Sequence, residues 1–155
     1  TGMTYNYGKL VALRSERVPA TGLTPQQIYK RVYDFCMDIR ARYGDVRTVY
    51  ADSAEQTLIA GLREVLRPLD IVVKNALNRP INDRIRATTM LMGGGRFFIT
   101  GECESLVEAF QGAVWDDRVT DAEVRLDNGT SDIDTLDAFE YSFERYIPHL
   151  IRSNK

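Results

Sequence analysis

Residues 9–18, KLVALRSERV, alternate apolar and polar side chains closely enough to predict a β-strand. The period then changes. Thr24-Pro25-Gln26-Gln27 places a hydroxyl at an N-cap, proline at the first helical position and glutamine at the capping-box position. Ile28, Val32, Phe35, Cys36, Ile39 and Tyr43 follow at helical spacing, so the pattern predicts an amphipathic helix over 24–43 that stops at Gly44.

A short apolar strand is expected over 47–51, then a helix over 53–66 with Leu58, Leu62, Val65 and Leu66 on one face, ended by Pro68. The alternation continues with a strand at 71–73, a helix at 80–92 and a strand at 96–100, and Leu106, Val107 and Phe110 mark another helix. Residues 116–130 lose the helical period and read as a loop, with Asp127-Asn128-Gly129 as its turn. Leu136, Phe139, Phe143 and Ile147 form the apolar stripe of a last helix. Residues 1–8 read as the tail of a strand leading into 9–18. Strands and helices in regular alternation predict an α/β class, a mixed sheet with helices on its faces.

Composition narrows the class. A chain of 155 residues with 44% hydrophobic and 27% charged residues is long enough for one globular domain. No apolar run approaches the roughly 20 residues of a membrane-spanning helix. The start, TGMTYNYGKL, lacks the basic and apolar regions of a signal peptide, so a cytosolic setting is expected. Cys36 and Cys103 have no CxxC spacing and His149 is the one histidine, so a zinc site or a His-based triad lacks parts. Both thiols are expected to be buried as small hydrophobes.

The net charge of −2 conceals a division. Lys74, Arg79, Arg84 and Arg86 stand in the segment KNALNRPINDRIR against the single acid Asp83, whereas residues 116–144 hold ten acids and two arginines. A near-neutral chain with one basic stretch can still bind a polyanion locally, although solvated surface segments give the same pattern. Gly93-Gly94-Gly95 lacks the GK[ST] ending of a phosphate loop and precedes a strand, so it reads as a helix-to-strand turn. Trp115, Tyr141 and Tyr146 suit burial better than base stacking.

Asp52 ends the apolar run VYAD, at the C-terminal end of a predicted strand, where open α/β sheets place their sites. It could equally cap the helix that follows, with Glu55 in the capping-box position, or Ser53 could do so with Gln56. Near the C-terminus, SDIDTLDAFEY offers Asp132, Asp134 and Asp137 in the first turns of a helix, where the macrodipole favours acids. Asp134 and Asp137 share a face with Ala138 and Tyr141.

Taken in order, YADSAEQTLIAGLREV, KNALNRPINDRI, GRFFITGECESLVEAFQ and SDIDTLDAFEYSF resemble the C-terminal nuclease domain of the large terminase subunit of tailed bacteriophages and prophages, over about residues 9–146. DSAE and LDAFEY are short motifs; their order and separation carry the likeness. The resemblance implies a ribonuclease H-like fold and a metal-dependent endonuclease that cuts concatemeric double-stranded DNA during packaging. It assigns metal binding and catalysis to Asp52 and Asp134, with Asp132 as a substitute ligand for a shifted register. Asp137 is then expected to order the helix or support a ligand from behind. Mg²⁺ or Mn²⁺ is the implied cofactor, since hard cations take oxygen ligands, and a pair of ions about 3.5–4 Å apart can activate water and stabilise both oxygens of the displacement.

Lys74, Arg79 and Arg84 are the implied phosphate contacts, with at least one of Arg84 and Arg86 turned to solvent because the two cannot share a helix face. The portal and the small terminase subunit are implied partners, the cytoplasm of a bacterial host the setting, and no nucleotide site is expected in this domain. The family's first strand carries another essential Asp, and residues 1–8 contain no acid, so the likeness implies a fragment with weak or no cleavage and exposed pairing edges. Two other readings remain open: a non-catalytic DNA- or portal-docking module, and a resolvase-like nuclease.

Overall fold

The computed structural model describes residues 1–6, 8–19, 21–114, 125 and 132–152. The chain divides into two compact units, one formed by Thr1–Arg17 with Leu77–Lys155 and the other by Val18–Ala76. The expected mixed α/β class is present, but the described strands form two sheets, one of three strands and one of two.

In the first unit, β1 (Gly2–Asn6) and β2 (Lys9–Arg14) pair antiparallel, and the turn between them uses Gly8 at φ 74°, a conformation that glycine adopts without cost. β5 (Phe97–Ile99) joins the other side of β2 in parallel, with Leu10 opposite Phe97 and Ala12 opposite Ile99. Among the described residues this unit holds the helices α3 (Ile81–Gly93), α4 (Glu104–Gly112), α5 (Ile133–Phe143) and α6 (Ile147–Arg152).

Their apolar stripes meet in a core containing Leu10, Leu91, Leu106, Phe139 and Phe143. Phe139 is its hub, with ring centroids 5.3 Å from Phe97, 5.4 Å from Phe110 and 5.0 Å from Phe143. Helix α4 has no side-chain cap of its own; Ser15, just past β2, accepts the Leu106 amide at 3.0 Å instead. Strand and helix are thereby locked together.

In the second unit, α1 (Pro25–Tyr43) begins with the expected capping box, Thr24 and Gln27 bonding reciprocally, and ends at Gly44 with φ 108°. β3 (Thr48–Ala51) and β4 (Val72–Asn75) pair in parallel, and α2 (Gln56–Leu66) connects them through a short 3₁₀ turn. Cys36, Ile59, Leu62, Leu66, Ile71 and Val73 make a separate core. Tyr29 of α1 lies so close to α2 that a β-carbon on Gly61 would sit 2.2 Å from the end of its ring, so any larger residue there requires Tyr29 to shift.

Strand β2 ends at Arg14 and not at 18, β4 spans Val72–Asn75 and not 71–73, and two helix boundaries also differ from the sequence expectation. Helix α2 starts at Gln56 instead of 53, because Asp52 turns its carboxylate onto the Ala54 amide at 3.2 Å and holds 52–55 as a turn. The last helix breaks after Phe143 into a 3₁₀ turn, Glu144–Tyr146, before α6. Pro148 explains this, since it has no N–H to offer the carbonyl four residues back. The expected loop at 116–130 lies outside the described residues apart from Arg125, as does Trp115.

Candidate functional site

Asp52 belongs to the second unit. It is exposed at the C-terminal end of parallel strand β3, and the one hydrogen bond it accepts among the described residues, from Ala54, is local. Neither capping scheme open to the sequence is used: Glu55 is the N-cap of α2 without a side-chain bond, and Gln56 donates to the Ser53 carbonyl at 2.6 Å. Asp52 is therefore not consumed by its helix. In the adjacent strand Lys74 stands opposite Tyr50 and is exposed, while its neighbour Val73 turns into the core. Strand alternation gives Lys74 the face away from that core.

The acidic helix α5 belongs to the first unit, and its carboxylates have different partners. Asp132 caps it, accepting from the Thr135 amide at 3.0 Å and hydroxyl at 2.5 Å, with Arg17 at 3.5 Å. Both of its oxygens are engaged, so it fits the cap better than the substitute ligand the motif allowed. Asp134, two residues further on, is exposed and has no partner among the described residues.

Asp137 faces inward and bonds Arg84 at 2.9 Å, with Arg125 at 3.5 Å. Glu140, 2% exposed, meets Arg84 at 2.7 Å and also pairs with Arg125. Burial pushes the Glu140 carboxyl above its usual range, against the hydrogen bond and charge of Arg125 and the charge of Arg84. Arg84 further donates to the Arg79 carbonyl at 3.0 Å and lies over the Tyr141 ring at 5.3 Å.

This corrects the reading of Arg84 as a phosphate contact. Its guanidinium is buried and committed to two carboxylates, a carbonyl and an aromatic face, while Arg86 is the exposed one of the pair. Lys74 is exposed and Arg79 half-buried, with its Nε hydrogen-bonded to nothing among the described residues.

The sequence reading missed Glu140, Glu144 and Arg125. A signal for the two glutamates existed: they fall on the stripe positions between Leu136, Phe143 and Ile147, where a charge must be buried. Glu144 is 1% exposed, and its carboxylate accepts the backbone amides of Leu77, Asn78 (3.2 Å) and Arg79 (3.0 Å). Asn78 takes φ 52° to bring these donors to one point.

Among the described residues no three His, Cys, Asp or Glu side chains group as metal ligands. Asp52 in the second unit and Asp134 in the first are each an exposed carboxylate, the oxygen-donor type that hard cations take.

The chain shares its fold with part of a phage large terminase. A structure of the large terminase from a thermophilic bacteriophage aligns over 90% of this chain at 19% identity with a TM-score of 0.69, and the same terminase in complex with ADP over 91% at 18% and 0.68. Its complex with ATP-gamma-S gives 90%, 19% and 0.67. This chain spans about a third of their length, 34% in each case. No protein-family model matches the sequence, and no curated protein does. No helix among the described residues is long and apolar enough to cross a membrane.

Proposed function

We propose that this chain is the nuclease-type, ribonuclease H-like domain of a DNA-packaging terminase, hydrolysing phosphodiesters of concatemeric double-stranded DNA. The observation that carries the reading is Asp52: an exposed carboxylate at the end of a parallel strand, in a terminase-like fold, unused by the helix that follows. Asp134 is the second metal-binding carboxylate. A divalent ion, Mg²⁺ or Mn²⁺, would supply a Lewis acid that polarises the phosphoryl oxygens and makes a bound water easier to deprotonate. The chain's own contribution is to fix anionic oxygens where that ion binds and to hold phosphate with Lys74 and Arg79. Double-stranded DNA is the substrate, and the portal and small terminase subunit are the assembly partners.

Titrating Mn²⁺ while following thermal stability tests the metal assignment, because a ligand that binds the folded state stabilises it in proportion to RT ln(1 + [L]/Kd). The wild-type chain should gain stability at millimolar Mn²⁺, and Asp52→Asn and Asp134→Asn should each lose most of the gain. Equal gains in all three would remove both residues from the metal site. A second reading, a non-catalytic DNA- or portal-binding module, draws support from Asp132 and Asp137, whose carboxylates serve the helix cap and the arginine pair. It predicts indifference to Mn²⁺ with DNA binding intact.

A further inference from the structure

Three arginines are linked to acids of α5 and the 3₁₀ turn after it, Arg84 and Arg125 by their side chains and Arg79 by its backbone amide, and they are treated differently. Arg84 and Arg125 are buried and share Asp137 and Glu140. Arg79 has no acid partner among the described residues, and its Nε is buried with no hydrogen-bond acceptor among them. Its backbone is nevertheless fixed at both polar groups: Glu144 accepts its amide at 3.0 Å, and Arg84 donates to its carbonyl at 3.0 Å.

Glu144 is unusual in the opposite sense. It is a carboxylate buried to 1% exposure with no cation in ion-pair range among the described residues, its charge met by three consecutive backbone amides. Charged acceptors make such bonds shorter and stronger than neutral ones. Burying a lone charge is costly, and a neutral acceptor could have closed the same turn more cheaply. What the arrangement adds is stiffness in 77–79, the loop that directs the Arg79 side chain.

We propose that Glu144 is a positioning residue that clamps residues 77–79 so that the exposed part of the half-buried Arg79 side chain, which has no acid partner among the described residues, is presented to a DNA phosphate. Ordering the loop in advance means that binding need not meet that entropic cost. This inference rests on the DNA-binding part of the function proposed above.

The experiment measures affinity for a short duplex over a series of salt concentrations for wild type, Arg79→Ala, Glu144→Gln and the double variant, with folding checked by circular dichroism. Loss of one phosphate contact lowers the slope of log K against log salt by about one. Arg79→Ala and Glu144→Gln should each show that drop, and the double variant no more than either. If Glu144→Gln does not fold, Asn78→Val replaces it, since a β-branched residue resists φ 52° and loosens the loop without touching the carboxylate. A merely structural Glu144 would lower the melting temperature of a folded variant and leave its salt slope at the wild-type value, which would overturn the inference. So would an unchanged slope in Arg79→Ala, or a wild-type chain that does not bind duplex. Mn²⁺ stabilisation that depends on Asp52 is read separately, so the clamp can fail while the metal-dependent reading stands, and the reverse.

Discussion

Arg84 and Glu140 meet at 2.7 Å in the interior of the first unit, 56 positions apart in the chain, with Asp137 and Arg125 completing a four-charge cluster. Removing one member of a buried pair leaves its partner's charge uncompensated, which typically costs about 3–5 kcal/mol. Glu140→Gln should therefore lower the unfolding free energy by an amount in that range, measured by urea denaturation. A change below about 1 kcal/mol would show that the arginines find other acceptors.

The two acids that precede helices should behave differently. Asp132→Ala removes a cap bonded to Thr135 and should cost about 1 kcal/mol. Asp52→Ala removes an exposed carboxylate that caps nothing and should change stability by less than about 0.5 kcal/mol in metal-free buffer. Paired thermal melts check both, and a larger loss for Asp52 would restore it as a structural residue.

Burial pushes the Cys36 thiol up from 9.0 to about 11. The folded chain then keeps a proton that the unfolded chain releases, so this group's stabilising contribution is complete below pH 9 and is lost as pH rises through about 11. Cys36→Ala should change how stability varies with pH over that interval, and denaturant melts at each pH read the difference. Native Cys36 should also resist alkylation at about pH 8, where almost none of it is thiolate; rapid labelling in the folded state would contradict its placement.

Gly61→Ala should destabilise the second unit, because the new methyl group meets the Tyr29 ring. Adding Tyr29→Ala should recover part of the loss. Strictly additive effects in denaturant melts would mean that the two residues are not in contact.

Much of the fold was legible because its causes are local. The capping box at Thr24 and Gln27, the glycine stop at Gly44 and the apolar stripe of α5 each depend on residues within a few positions, and each element formed where its signal lay. The start of α2 was misread for an equally local reason: Asp52 had several amides within reach, and spacing does not say which it will choose. The acids of α5 were visible as a group but not in their individual roles. Asp132, Asp134, Asp137 and Glu140 look alike on a helix, and only their partners make one a cap, one an exposed ligand candidate and two the anchors of buried arginines.

By itself the sequence determined the α/β class, the order of the elements and the faces they bury, because backbone capping and the period of apolar residues act over one or two turns. Only the tertiary structure decided that Arg84 is buried, that Glu144 holds the amides of 77–79 and that Asp52 is exposed. A charge takes its role from the opposite charge or amide that packing brings to it from a distant part of the chain, and periodicity carries no record of that encounter.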